Sequence, residues 1–309
     1  MKSIINKKIL RRAKSIYDNP QKIIIYADYR GWLNFLPDKL YLNIIYKSKI
    51  GKKLNLAKPR SFNEKIQWLK LNDRRDFYIN YVDKYEVRKK VAEIIGDEYL
   101  IPLIGVYDSP EKINFKDLPN SFVLKCTHDS GSVVICKDKS KFNEKEAIDK
   151  LSKLLNRNYF YNGREWPYKN IKPRIICEKY MVDDTISELR DYKFMCFNGE
   201  VKCLFVALNR NKDTGLNIDF YDLNWERIPV ERHYPCSNEI IPKPKNFTDM
   251  IRFAEKLSKG IPFLRVDFYE VNEKLYFGEL TFYPGSGFEE FTPDSYDYLF
   301  GEWLELPQQ

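Results

Sequence analysis

Between Arg265 and Phe282 the chain reads RVDFYEVNEKLYFGELTF, two alternating runs parted by the polar triplet Asn272-Glu273-Lys274. Alternating apolar and polar residues mark half-buried strands, and two such runs around a short polar break specify an antiparallel hairpin. If all three polar residues form the loop, Asp267 lies opposite Glu279 and Arg265 opposite Thr281. Val266, Phe268, Gly278, Leu280 and Phe282 then share the other, apolar face. Directly opposed carboxylates hold their Cβ atoms roughly 4.5–5.5 Å apart and repel. A divalent cation between them removes the repulsion. Magnesium takes oxygen ligands at about 2.0–2.1 Å, few of them carboxylates, with phosphate and water completing the shell. The pair therefore points to Mg²⁺ carried by a phosphorylated ligand. Two exposed acids beside Arg265 are the alternative, and a register slip of one residue would undo the pairing.

Residues that handle phosphate are then expected elsewhere. Lys125 closes the apolar run Phe122-Val123-Leu124-Lys125, and the compact loop His128-Asp129-Ser130-Gly131-Ser132 follows it. Backbone N–H groups of such a loop can face an anion, which suits ATP phosphates, although a plain hairpin turn reads the same way. There is no GxxxxGK[ST] motif, so a P-loop is excluded. Glu178-Lys179-Tyr180-Met181 ends another apolar strand, where free backbone could read an adenine edge or the strand could simply stop.

The remaining pattern is mixed. Residues 1–95 read mostly as helix: Ser61 with Glu64 three positions on has capping-box spacing, and one helix is expected over residues 81–95, stopped by Gly96. Strands are expected at residues 121–126, 133–136 and 174–181, and a helix over 145–156. A hairpin is expected around Asn198-Gly199. Without regular βαβ alternation the class is α+β.

No apolar stretch reaches membrane-spanning length, and residues 1–19 lack a signal-peptide h-region. Ile5, Ile9, Ala13 and Ile16 recur there at helical spacing among Lys7, Lys8, Arg11, Arg12 and Lys14. That describes a basic amphipathic helix, packed on its own domain or resting on an anionic inner-membrane surface. Six cysteines without a CxxC pair read as buried thiols in a reducing cytoplasm, and two histidines exclude a histidine-based metal site. The net charge of +8 is spread over lysines scattered among nearly as many acids. A phosphorylated small molecule or an anionic saccharide explains it as well as nucleic acid would, and no nucleic-acid partner is expected.

Taken in order, several motifs resemble the ATP-grasp enzymes. They are Asp83-Lys84 before a helix ending at Gly96, Lys125, the loop 128–132, Glu178 to Met181, and Val266-Asp267 with Glu279-x-Thr281 and Pro284-Gly285. More narrowly they resemble the TupA-like family, named for teichuronopeptide biosynthesis. That likeness runs over residues 50–305 through Phe62-Asn63-Glu64-Lys65, Trp68-Leu69-Lys70, Leu118-Pro119, Asp191-Tyr192-Lys193-Phe194 and Phe277-Gly278-Glu279-Leu280-Thr281-Phe282. The resemblance implies a helical region over 1–95, a lid subdomain over 96–180 and a core subdomain with a C-terminal antiparallel sheet over 181–309. It implies ATP and Mg²⁺ as cofactors. Lys84, Lys125 and the loop from His128 through Ser130, Gly131 and Ser132 would meet phosphate, Glu178, Lys179, Tyr180 and Met181 the adenine, and Asp267, Glu279 and Thr281 the metal. The superfamily usually keeps Asn where Thr281 stands, which bears on how tightly a second Mg²⁺ is held.

The implied chemistry is ligation of a carboxylate to an amine through an acylphosphate, with Arg265, Arg190 and Lys193 as candidates to neutralise the transferred phosphate. The implied substrates are a uronic acid of a surface polysaccharide, sugar-linked or nucleotide-linked, and an amino acid. Tyr159, Tyr161, Trp166 and Tyr168 would stack on sugar rings or belong to the core. Pro284-Gly285-Ser286-Gly287 would be a loop free to approach the reacting groups. The rival readings are a glycosyltransferase, for which Asp183-Asp184 and Asp219-Phe220-Tyr221-Asp222 lack a convincing Asp-x-Asp, and a non-catalytic polysaccharide-binding protein.

Overall fold

The computed structural model describes residues 21–186, 189–209 and 215–308. The basic stretch expected to form an amphipathic helix therefore lies outside the described residues. Five helices lead: α1 (Gln21–Tyr29), α2 (Asp38–Ile50), α3 (Phe62–Asn72), α4 (Tyr78–Val82) and α5 (Glu86–Ile95). Ser61 caps α3 as its spacing predicts. Its hydroxyl accepts from Glu64 N at 3.3 Å, and the Glu64 carboxylate accepts from Ser61 N at 3.2 Å. The single helix expected over 81–95 is instead two. Asp83 ends α4 and its carboxylate accepts from the N–H groups of Tyr85 and Glu86 at 2.8 and 3.2 Å, so it caps α5. Lys84 sits in the break with its own N–H given to the Thr127 carbonyl.

Residues 103–179 form a four-stranded antiparallel sheet in the order β1 (Leu103–Tyr107), β4 (Ile175–Lys179), β2 (Phe122–Cys126), β3 (Val133–Cys136). Helix α6 (Glu144–Leu155) covers one face, and Phe115, Phe122, Leu124, Leu151 and Cys177 form an apolar cluster of their own there.

The larger sheet runs β11 (Lys274–Thr281), β10 (Phe263–Val271), β5 (Asp191–Phe197), β6 (Glu200–Leu208), β7 (Asn217–Tyr221), β8 (Arg227–Ile228). The expected turn between β5 and β6 is there, with Asn198 and Gly199 at φ 51° and 89°, the left-handed pair a two-residue hairpin requires. A short ribbon pairs β9 (Glu231–Arg232) with β12 (Phe291–Thr292). The chain is thus α+β with antiparallel sheets.

The two faces of the larger sheet differ, and that difference positions the site. One face is apolar under α7 (Phe247–Ser258): Phe194 meets Phe247 and Phe268 at ring separations of 5.9 Å. The opposite face is apolar only at one end, where Phe62 of α3 packs on Phe197 and Phe263 at 5.9 and 4.9 Å, with α8 (Ser295–Trp303) behind it. At its other end the same face carries Asp191, Lys193, Arg265 and Asp267, two residues apart along each strand.

The β10–β11 hairpin departs from the expected loop. Only Asn272 and Glu273 make the turn, at φ 49° and 65°, and Val271 pairs with Lys274. The register shifts once between Val266 and Phe268, so that two residues, Gly278 and Glu279, oppose the single Asp267. Beyond this bulge Val266 pairs with Leu280 and Arg265 with Thr281, the pairing read from the sequence. The inward set therefore changes parity from Leu275 and Phe277 to Leu280 and Phe282, and Phe277 occupies the place expected for Gly278. Gly278 suits a bulge: a Cβ there would stand 3.0 Å from the Asp267 carbonyl oxygen.

All six cysteines are free, five of them buried, and burial raises the Cys177 thiol to about 12. Among the described residues no helix is long and apolar enough to cross a membrane.

Candidate active site between the two sheets

On the ionic end of the large sheet, Asp267 is wholly buried and cross-strand from Lys193. Arg265 donates to both its oxygens, Nε to Oδ1 and Nη2 to Oδ2, each at 2.7 Å, and Lys193 Nζ binds Oδ2 as well. Arg265 Nη2 also reaches Glu279 Oε1 at 2.8 Å, and Lys193 reaches Asp191 at 2.7 Å. Two cations thus hold three carboxylates on one sheet face. Enclosure in protein opposes the Arg265 charge, but Asp267 and Glu279 outweigh it and raise the guanidinium pKa. Enclosure likewise pushes the Glu279 carboxyl up, yet Lys193, Arg265 and Lys84 hold it below its ordinary range. Its side chain, ringed by protein, remains 38% exposed through a cavity.

That cavity opens between the sheets. The large sheet contributes Asp191, Gly278 and Glu279; the small one contributes Lys125, Ser130, Gly131 and Glu178; the α4–α5 break and α5 contribute Lys84 and Arg88. Glu178 accepts from Lys125 Nζ at 2.7 Å and from Arg88 Nη1 at 2.9 Å. It holds these two cations side by side. Lys84 Nζ donates to the Asp129 carbonyl, and burial lowers its pKa against the pull of Glu279 and Asp129.

Several expected contacts lie elsewhere. His128 turns away from this cavity: its Nε2 pairs with the Arg157 carbonyl at 3.0 Å and it lines a separate recess, where burial lowers its pKa. Ser132 gives its hydroxyl to the Asp129 carboxylate and is buried. Lys179, Tyr180 and Met181 line a neighbouring recess with Val271 and Tyr276. Thr281, paired with Arg265, does not border the cavity. Arg190 contacts Tyr192, whose side chain faces away from Lys193 across the strand. The loop Pro284–Gly287 is fastened by α3: Gln67 Nε2 donates to the carbonyls of Ser286 and Gly287 at 3.1 and 2.7 Å. Of the four aromatics, Tyr168 borders the main cavity, and Tyr159 lies edge-on to it at 4.8 Å.

Sequence reasoning gave no site role to Arg88, to Asp191 (named only within a motif) or to a buried polar chain beside the site. Asp191 stands two residues before Lys193 on one strand, so alternation alone would have placed it. Arg88 lies in α5, beyond the break that holds Lys84, where helical spacing from Lys84 does not apply. In the chain, Lys70 Nζ donates to the Gly163 and Ser286 carbonyls, both at 2.7 Å, and to Ser286 Oγ at 3.0 Å. The Ser286 hydroxyl in turn bonds Glu165. Burial lowers Lys70 to about 7 and raises Glu165 to about 7.

No His, Cys, Asp or Glu side chains cluster in threes as a ready metal cage among the described residues. The donors fit a hard divalent ion that brings its own oxygens: Glu279 and Asp191 face the cavity, and lysines suited to phosphate line the facing wall. Asp267, expected as a ligand, lies beneath them with both oxygens taken by Arg265 and Lys193.

A family model described as TupA-like ATPgrasp matches residues 64–305. No curated protein resembles the chain closely enough to count as a match. Among solved structures, the D-alanine–D-alanine ligase of Bacillus anthracis complexed with ATP is 16% identical at a TM-score of 0.38, over 65% of this chain and 54% of that one. The ATP-grasp ligase PsnB, complexed with a phosphomimetic variant of its minimal precursor, Mg and ADP, is 10% identical at 0.41, over 83% and 65%. D-alanyl-alanine synthetase A of Vibrio cholerae is 13% identical at 0.41, over 72% and 63%. The chain spans less than two thirds of each.

Proposed function

The chain belongs to the TupA-like ATP-grasp family, and on that premise we propose that it joins a carboxylate to an amine at the expense of ATP. The acid is a uronic acid of a surface polysaccharide or of its nucleotide-sugar precursor, and the amine is an amino acid. The observation that carries the reading is one cavity with Lys84, Arg88 and Lys125 on one wall and Asp191 and Glu279 on the other. Cations on one side suit a polyphosphate, and carboxylates on the other suit the metal that accompanies it.

In the proposed reaction a carboxylate oxygen of the sugar acid attacks the γ-phosphorus, and ADP leaves. The amine nitrogen then attacks the acyl carbon, loses a proton, and inorganic phosphate departs. Lys84, Lys125 and Arg88 bind and orient the phosphates. Arg265 and Lys193 fix the positions of Asp267 and Glu279, and are positioning residues first. Mg²⁺ held through Glu279, with Asp191 on the same wall, would neutralise charge on the phosphates being transferred. The small sheet, closed over bound substrates, would exclude water that otherwise hydrolyses the acylphosphate.

The test is ADP release from Mg-ATP across a matrix of uronic acids and amino acids. The reading expects release that needs both partners and a new amide in the product. Nucleoside diphosphate released from a nucleotide sugar without ATP would replace it with the glycosyltransferase reading.

A further inference from the structure

The helical hairpin of α1 and α2 already has an apolar interior. Ile24, Leu33 and Leu36 pack inward on a buried cluster of Tyr41, Leu42 and Ile45. Its outer side is nevertheless apolar too. Tyr29, Phe35 and Trp32 are 84, 81 and 61% exposed, and Ile23, Tyr26 and Leu40 stand out beside them. Six of the 14 exposed large apolar side chains among the described residues fall within residues 23–40; the other eight are scattered. Tyr26 and Trp32 meet edge-on at 5.9 Å, and Arg30 lies over the Tyr26 ring at 5.9 Å, so aromatic and cationic side chains share this surface. A contiguous apolar patch rimmed by charge marks a docking surface, whereas single exposed residues do not.

Charge identifies the partner. Counted by segment, the lysines are not scattered as the whole-chain composition implies. Residues 1–60 hold 15 Lys and Arg against three Asp, a surplus of 12, while the remaining residues carry 37 against 41, so the chain's +8 arises entirely from its first sixty positions. Lys22, Arg30 and Lys39 stand within or beside the exposed patch, and six further basic residues precede Gln21 in the sequence. Aromatic rings, aliphatic side chains and Lys/Arg on one surface match the boundary between lipid headgroups and acyl chains. Anionic headgroups attract the cations. A nucleic acid would use the charge and the rings but leave Ile23 and Leu40 in water.

We propose that the outer surface of α1, α2 and the turn between them docks on an anionic phospholipid bilayer. None of these residues lines the cavity between the sheets, so the surface is separate from the proposed ligase site and does not rest on it.

The experiment is co-sedimentation of the full chain with vesicles of phosphatidylglycerol and phosphatidylcholine, against phosphatidylcholine alone, at low and high salt. The expected result is binding to the anionic vesicles that weakens about tenfold or more on neutral vesicles and at high salt. Trp32→Ser with Phe35→Ser should weaken it about tenfold with an unchanged melting temperature, since both side chains are exposed. Ile240→Ser, at a 96% exposed position outside the patch, should bind as the parent does. The proposal is overturned if the parent ignores anionic vesicles or if the double variant binds them equally well. It is also overturned if the double variant instead dissolves a homodimer or abolishes binding to an RNA oligonucleotide while vesicle binding persists.

Discussion

Replacing Glu279 by Gln and Asp267 by Asn separates the chemistry of the site from its contribution to stability. Both remove one negative charge from the same cluster, but the structure assigns them different costs. Asp267 is fully buried and takes three charged hydrogen bonds, two from Arg265 and one from Lys193. Asn in its place leaves those cations with Asp191 and Glu279 alone, and breaking a buried ion pair costs about 3–5 kcal/mol. For a chain of this length that is a fall of roughly 10 °C in melting temperature. Glu279 is 38% exposed through the cavity and takes one bond from Arg265 at 2.8 Å, so its loss costs about 1 kcal/mol or less. Its side chain lines the cavity, however, and if the proposed ligase reaction runs there Glu279→Gln should lower ADP release at least about 100-fold. Differential scanning fluorimetry and a coupled ADP assay on the two variants give both numbers. A Glu279→Gln enzyme with undiminished turnover, or an Asp267→Asn protein as stable as the parent, would refute the assignment of roles.

Lys125→Met should weaken Mg-ATP binding about tenfold or more while leaving the melting temperature nearly unchanged, because Arg88 still neutralises Glu178; calorimetric titration reads it. Glu165 predicts a pH dependence of stability. As pH rises from its ordinary 4.5 towards about 7, the unfolded chain loses this proton and the folded chain keeps it, so the parent loses about 3 kcal/mol relative to Glu165→Gln. Melting curves of the two between pH 5 and pH 7.5, values chosen to span roughly that window, should diverge, and parallel curves would count against a buried, protonated Glu165. Gly301 lies inside α8, where alanine is ordinarily favoured by about 1 kcal/mol. Here a Cβ would stand 2.9 Å from Phe62 N and closer still to the Arg60 carbonyl oxygen, so Gly301→Ala should lower the melting temperature.

Local signals in this sequence were legible where chemistry is local. The Ser61 capping box and the Asn198-Gly199 turn follow from side-chain and backbone preferences that no tertiary contact overrides. The pairing of Arg265 with Thr281 was read correctly from a wrong loop: the two-residue turn shortens the register by one and the bulge at Gly278 restores it. The bulge left a trace, since apolar residues fall at 275, 277, 280 and 282, a step of three where alternation requires two. The break between α4 and α5 was hidden because the apolar periodicity runs on through it; what ends the first helix is the Asp83 carboxylate capping the second. Glu178 was legible as a strand-end residue, but its ion pairs join residues 53 and 90 positions away, which no local pattern encodes.

The most direct test of the central claim, that the cavity between the sheets binds Mg-ATP, is a calorimetric titration of the full chain with ATP in the presence of Mg²⁺ and again in EDTA. The account predicts saturable binding that weakens about tenfold or more when the metal is removed, and more weakly metal-dependent binding in Glu279→Gln. No heat from Mg-ATP, or binding that is identical with and without metal and in the variant, would contradict it.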